Sequence, residues 1–176
     1  MGLAGAAAGR AEKPGQRGTL AGMADRTSSS ITVAAAPAAV MRVIADFGAY
    51  PDWASGVRSA EILAAADAGR ADRVRFRLDA GPIKDSYVLA YEWDGDAAVR
   101  WHLAEAGSMV TDMSGAYLLA AEGTGTRVSY ELSVGTRVPM LGLLKRRAEK
   151  TIIETALKGL KSRAEAAGQA AGTTGT

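Results

Sequence analysis

Residues 30–57 read SITVAAAPAAVMRVIADFGAYPDWASGV, and this stretch decides the fold. Ile31 and Val33 alternate with Ser30 and Thr32, the period of a half-buried strand. Pro37 suits a first helical turn, where its missing N–H has no intrahelical partner to lose. Val40, Val43, Ile44 and Phe47 then recur at helical spacing and define one apolar face. Gly48 is placed to close that helix in a left-handed conformation. Pro51 blocks a simple continuation and starts a second short turn that ends near Trp53 and Gly56.

Downstream, the pattern changes to strands and turns. Residues 57–65 form one strand, ending in the loop Asp67-Ala68-Gly69-Arg70. In 72–79, Val74, Phe76 and Leu78 share one face, and Arg73, Arg75 and Arg77 the other. That arginine row is either an anion site or a solvated face paired with acids on neighbouring strands. Ala80-Gly81-Pro82 turns the chain into 83–93, where Ile83, Tyr87, Leu89, Tyr91 and Trp93 are in phase. Asp94-Gly95 is a two-residue hairpin signal. Val99, Trp101 and Leu103 then oppose Arg100 and His102. Residues 109–121 follow, with Gly115 marking a bend or bulge. Gly123-Thr124-Gly125 makes the last hairpin, and Val128, Tyr130, Leu132 and Val134 complete the sheet. Seven strands without helix-sized gaps predict an antiparallel meander. Pro139 opens a helix to about Ala166. Its expected buried stripe is Leu141, Leu144, Ala148, Ile152, Ala156 and Leu160, widened by Ile153 and Leu157.

A strand, a short helix, a Tyr-Pro-x-Trp corner and then strands resemble the opening of the START-like (Bet v 1-like, SRPBCC) superfamily, in its polyketide cyclase/dehydrase and lipid-transport branch. Ile31, Val33, Pro37, Val40, Val43, Ile44, Asp46, Tyr50, Pro51 and Trp53 carry the resemblance, which extends over residues 28–166. It implies an α+β helix-grip fold: a seven-stranded curved antiparallel sheet wrapped around a long C-terminal helix, with two short helices after the first strand. It also implies a cavity for an apolar ligand between sheet and helix. The small residues Ala148, Ala156 and Gly115 favour a cavity; the alternative is that the aromatic inner face simply fills a core.

The chain has 176 residues and a formal charge of +2, with one histidine and no cysteine. A disulfide scaffold, a thiolate metal site and a His-rich metal site are thereby excluded. The pI near 9.0 is not a nucleic-acid signature. Arg10, Lys13, Arg17 and Arg26 against Glu12 and Asp25 hold the whole excess, which leaves 17 charges of each sign from Thr27 onward. There is no basic stripe interleaved with aromatics. No run of about 18 apolar residues marks a membrane span. The Ala/Gly-rich start lacks the basic region of a signal peptide and is cut by Arg10. Residues 1–26 and 167–176 therefore read as disordered tails around a domain at 27–166, and the expected location is cytoplasmic. Met23-Ala24-Asp25 reads as a natural start, with 1–22 an upstream extension or a misassigned start.

The chemistry expected is binding, not catalysis. No acid–base pair, nucleophile elbow or phosphate loop occurs, and no cofactor is implied. Asp112 has the parity opposite to Met113, and His102 points outward. The expected ligand-binding residues are Phe76, Leu78, Tyr87, Trp101, Met113, Tyr117, Tyr130, Leu144, Ala148 and Ile152. The first reading is a carrier of a lipid, quinone or polyketide-like molecule. The second is a polyketide cyclase or dehydratase, and the third a protein-interaction module of the RatA/coenzyme Q-binding type. Lys145, Arg146, Arg147 and Lys150 are positioned for weak contact with an anionic surface.

Overall fold

The computed structural model describes residues 26–66, 69–80, 83–139 and 142–172. Strand β1 (Thr27–Val33) leads into α1 (Pro37–Ala45), a 3₁₀ turn (Phe47–Ala49) and α2 (Tyr50–Trp53). Then come β2 (Val57–Ala65), β3 (Ala71–Ala80), β4 (Ile83–Asp94), β5 (Ala98–Glu105), β6 (Val110–Glu122) and β7 (Gly125–Thr136), and finally α3 (Gly142–Gly172). The seven strands make one antiparallel sheet in the order β1-β7-β6-β5-β4-β3-β2. This is the helix-grip architecture expected from the sequence. The 1–25 tail, the Gly81-Pro82 turn, Asp67-Ala68 and Leu141 lie outside the described residues.

Several local details differ from the sequence reading. Gly48 does not close α1. The helix ends at Asp46, whose N–H reaches back to the carbonyls of Arg42 and Val43, and Gly48 sits inside the 3₁₀ turn. The left-handed glycine of this segment is Gly56, at φ 81°. The β4–β5 turn holds three residues, 95–97, because Asp94 pairs with Ala98. Helix α3 continues past Ala166 to Gly172, since Ala166, Ala167, Gln169 and Ala170 are good helix formers.

The largest correction concerns the buried face of α3. This helix packs on β1, β7, α1 and α2. Its buried side chains are Glu149, Ile153, Leu157, Leu160 and Ala164. Ile153, Leu157 and Leu160 are inward as expected, but Leu144 and Ile152 are 56% and 49% exposed, so the inward stripe is centred on the residues that were expected only to widen it. Glu149 explains the offset. It is 2% exposed, accepting from the Thr27 hydroxyl at 2.6 Å and the Val134 N–H at 2.8 Å. A polar residue thus fills the inward position that hydropathy assigned to its apolar neighbours. Ile152→Asp is therefore expected to change unfolding free energy by no more than about 0.5 kcal/mol, as at other surface positions. A urea titration checks this; a loss above about 2 kcal/mol would return Ile152 to the core.

Outside the sheet, Arg73 pairs with Glu105 at 3.1 Å and Arg75 with Glu61 at 3.6 Å. Two of the three arginines thus belong to a solvated, ion-paired face. His102 is exposed on β5, between Ala90 and Ser114. The Tyr-Pro-x-Trp corner packs directly on α3. An added Cβ at Gly159 would stand 2.5 Å from the Trp53 carbonyl oxygen.

Candidate functional site

Sheet register brings the inward residues together. Phe76 faces Tyr87 across β3–β4, Tyr91 faces Trp101 across β4–β5, Trp101 faces Gly115, and Tyr117 faces Tyr130 across β6–β7. Because side chains alternate along a strand, these pairs share one face of the sheet. From the other side, α1 and the 3₁₀ turn contribute Phe47, and α2 contributes Tyr50 and Trp53. The rings form a continuous chain: Tyr50–Phe47 at 5.1 Å, Phe47–Tyr91 at 5.0 Å, Tyr91–Trp101 at 6.1 Å, Trp101–Tyr117 at 5.5 Å and Tyr117–Tyr130 at 4.4 Å. These separations are those of attractive aromatic pairs.

All five tyrosines of the chain lie in this cluster. Burial pushes each phenol up from its ordinary value, and neighbouring hydroxyls add to the effect in Tyr50, Tyr91 and Tyr117. Tyr87 and Tyr130 are raised first by burial too. The site is therefore a set of neutral O–H groups. Tyr50 donates to the Ile44 carbonyl at 2.8 Å, and the Tyr117 and Tyr130 rings lie together at 4.4 Å. Among the described residues, the buried polar atom left without a hydrogen-bond partner at this cluster is Trp53 Nε1, whose ring lies 4.7 Å from that of Tyr50. Tyr87 and Tyr91 keep 6% and 8% exposure. Buried polar groups usually find a partner, so the Trp53 N–H is available to water or to a ligand.

Of the residues expected to line the site, Phe76, Tyr87, Trp101, Met113, Tyr117 and Tyr130 are buried, and Leu78 and Ala148 are half-buried. Leu144 and Ile152 stand apart from them, on the exposed side of α3. Gly115 does not mark a bulge, because its pairing with Trp101 and Leu132 is regular. Its missing side chain is instead the seat of the Trp101 indole; an added Cβ would lie 2.4 Å from Cζ2. The room that Gly115 was expected to leave empty is occupied. Phe47, Tyr50 and Tyr91 join the site although the sequence reading did not place them there. For Tyr91 the signal was present, since it shares strand parity with Tyr87.

The buried acids are committed elsewhere. Asp85 accepts from the N–H groups of Ser86 (2.9 Å), Ser108 (2.7 Å), Met109 (3.0 Å) and Val110 (2.7 Å), and from the Ser108 hydroxyl (2.9 Å). Burial opposes its charge, but the hydrogen bonds from Val110, Met109 and Ser108 outweigh it and bring the carboxyl down to about 2. This ionised group fastens the β5–β6 loop to the end of β4 and is not a general acid. Glu149 is held by Thr27 and Val134 as described. Among the described residues no cluster of three or more His, Asp or Glu gathers to hold a metal ion. No described helix is long and apolar enough to cross a membrane.

A seven-stranded sheet closed by a long helix over an aromatic interior defines a helix-grip protein. The chain belongs to the polyketide cyclase / dehydrase and lipid transport family, whose profile matches residues 24–165. Among curated proteins none matches. A START superfamily protein from Mycobacterium smegmatis is similar in structure, with 22% identity over 80% of this chain and 97% of that one, and a TM-score of 0.73. A Thermus thermophilus protein shares 27% identity over 81% of this chain and 98% of its own, with a TM-score of 0.67. An aromatase/cyclase from a Streptomyces species has 17% identity, 80% and 93% coverage and a TM-score of 0.62. The likeness to the first and third is one of fold.

Proposed function

We propose that the protein binds and carries an apolar small molecule bearing one or two oxygen atoms, held among the aromatic side chains between the sheet and α3. One observation carries this reading: all five tyrosines meet in one buried cluster, and the Trp53 N–H beside them is buried without a partner. Aromatic walls with a few polar anchors are the chemistry of a small-molecule pocket. The family's description, lipid transport included, supports the same reading. In the present structure the rings touch one another, so a ligand enters by parting them.

Cyclisation or dehydration of a polyketide-like chain is the second reading, supported by the family's description and by the convergence of hydroxyl groups. Carriage is favoured because acid–base catalysis needs a group that titrates near the working pH. The buried phenols are held protonated, and Asp85 is held ionised.

The test uses a naphthoquinone such as menadione, which quenches tryptophan emission on contact. Trp101 lies 5.5 Å from Tyr117 and 5.6 Å from Tyr130, so occupancy of the cluster is expected to give saturable quenching. Tyr87→Phe/Tyr91→Phe removes two of the converging hydroxyls and keeps the rings. Loss of two hydrogen bonds of about 0.5–1.5 kcal/mol each to a bound ligand is expected to weaken binding roughly tenfold. Quenching that never saturates, or binding unaltered in the double variant, counts against the reading. Native mass spectrometry of protein from its own host then identifies the cargo.

A further inference from the structure

The first turns of α3 carry a surface that the interior does not use. Leu143 is 83% exposed, and Leu144 beside it also faces solvent. With Arg26, Thr27, Arg146, Arg147 and Lys150 they line a depression of about 510 Å³. Leu143, Arg146, Arg147 and Lys150 stand at i, i+3, i+4 and i+7, so one helix face holds them together. Their charges are weakly matched. Arg26 reaches Glu131 at 3.7 Å and Lys150 reaches Glu154 at 3.9 Å, both in exposed pairs. Among the described residues Arg146 and Arg147 form no ion pair.

Exposed leucines inside a ring of cations suit a surface that is anionic outside and apolar just beneath. We propose that this end of α3 docks on the anionic face of a lipid bilayer. Leu143 and Leu144 enter the headgroup boundary, and Arg26, Arg146, Arg147 and Lys150 meet the lipid charges. A second copy of the chain is a poorer occupant, because a two-fold contact sets the same four cations against themselves. Residues 1–25 are poorer too, since Arg10, Lys13 and Arg17 outnumber Glu12 and Asp25. The proposal rests on this surface alone and is independent of what the aromatic interior binds.

The full chain is to be cosedimented with vesicles of phosphatidylcholine, and of phosphatidylcholine with phosphatidylglycerol at two to one. Binding is expected only to the anionic vesicles and is expected to fall as salt is added. A basic residue near such a surface contributes about fivefold, so Arg146→Gln/Arg147→Gln should weaken binding roughly 25-fold. Leu143→Ser should weaken it further without altering the salt dependence. Each change lies at an exposed position, so melting temperatures should be unchanged and a loss of binding is not a loss of fold. Equal binding to both vesicles overturns the proposal, as does a double variant that binds like the parent. Binding that disappears only when residues 1–22 are removed assigns the contact to those residues and also overturns it. So does a dimer in light scattering that Leu143→Ser dissolves while no vesicle binding is seen.

Discussion

Asp85→Ala is expected to lower the unfolding free energy by about 3 kcal/mol or more. Five donors lose their acceptor together. Hydrogen bonds to a charged group contribute about 1.5–3 kcal/mol each, and a buried donor left unpaired costs about 1–3 kcal/mol. Water entering beside the β5–β6 loop offsets part of this sum. Gly107 makes the contact tighter still: an added Cβ there would lie 2.3 Å from Asp85 Oδ1, so the loop backbone rests against the carboxylate itself. Asp85→Asn is expected to cost somewhat less, keeping the shape but turning one oxygen into a donor that faces donors. The pH dependence has a definite sign. The folded-state value, about 2, lies below the ordinary carboxyl value of about 3.9. The contribution of Asp85 is thus complete above that ordinary value and is lost as pH falls toward 2. Urea melts of parent and Asp85→Asn should differ most near neutral pH and converge below pH 4. A gap that stays constant down to pH 2.5, or a loss under about 1 kcal/mol for Asp85→Ala, would refute the clamp.

Gly115→Ala is the second large effect. The new methyl would meet the Trp101 indole at 2.4 Å and the Glu131 carbonyl oxygen at 2.7 Å. The indole cannot simply withdraw, because Tyr91, Tyr117 and Tyr130 surround it at 6.1, 5.5 and 5.6 Å. Overpacking of a tight core costs about 1–3 kcal/mol, and the backbone oxygen places this site toward the upper end. Near-ultraviolet dichroism should change with stability, since the displaced ring is a tryptophan among tyrosines. Combining Gly115→Ala with Trp101→Leu should recover part of the loss, because contacting residues couple by about 0.5–3 kcal/mol. Strict additivity, or a Gly115→Ala variant that melts like the parent, would show that the glycine is not the indole's seat.

The fold was legible because its signals are local. Alternation in 72–79 and 83–93 assigns strands and their inner faces, and the Tyr-Pro-x-Trp corner orders the helices that follow β1. The inner face of α3 was less so. Two stripes one residue apart run through 141–164; hydropathy finds Ile153, Leu157 and Leu160 but centres the face on Leu144 and Ile152. The true one contains Glu149, whose burial is tolerable because the Thr27 hydroxyl and the Val134 N–H meet it, with Lys145 paired to it at 3.8 Å. Lys145 is a near neighbour on the helix, but Thr27 and Val134 belong to strands. The same limit hid Asp85. It shares parity with Tyr87, but the four N–H groups that justify an inward carboxylate belong largely to 108–110. For Gly115, the composition showed a missing side chain, whereas only cross-strand register shows that Trp101 fills its place.

The contact at Gly159 restricts how the interior can open. The Trp53 carbonyl oxygen lies where a side chain on α3 would begin. Advancing α3 by one residue, a screw step of about 1.5 Å, would bring Lys158 or Leu160 under that oxygen, and neither has room for its Cβ. The helix is keyed against axial slippage. Any movement of α3 against the sheet is thereby confined to a tilt about Gly159, with the two ends of α3 swinging in opposite senses. Under such a tilt, Gly159 acts as a fulcrum, and the amplitude of opening grows with distance from it along the helix.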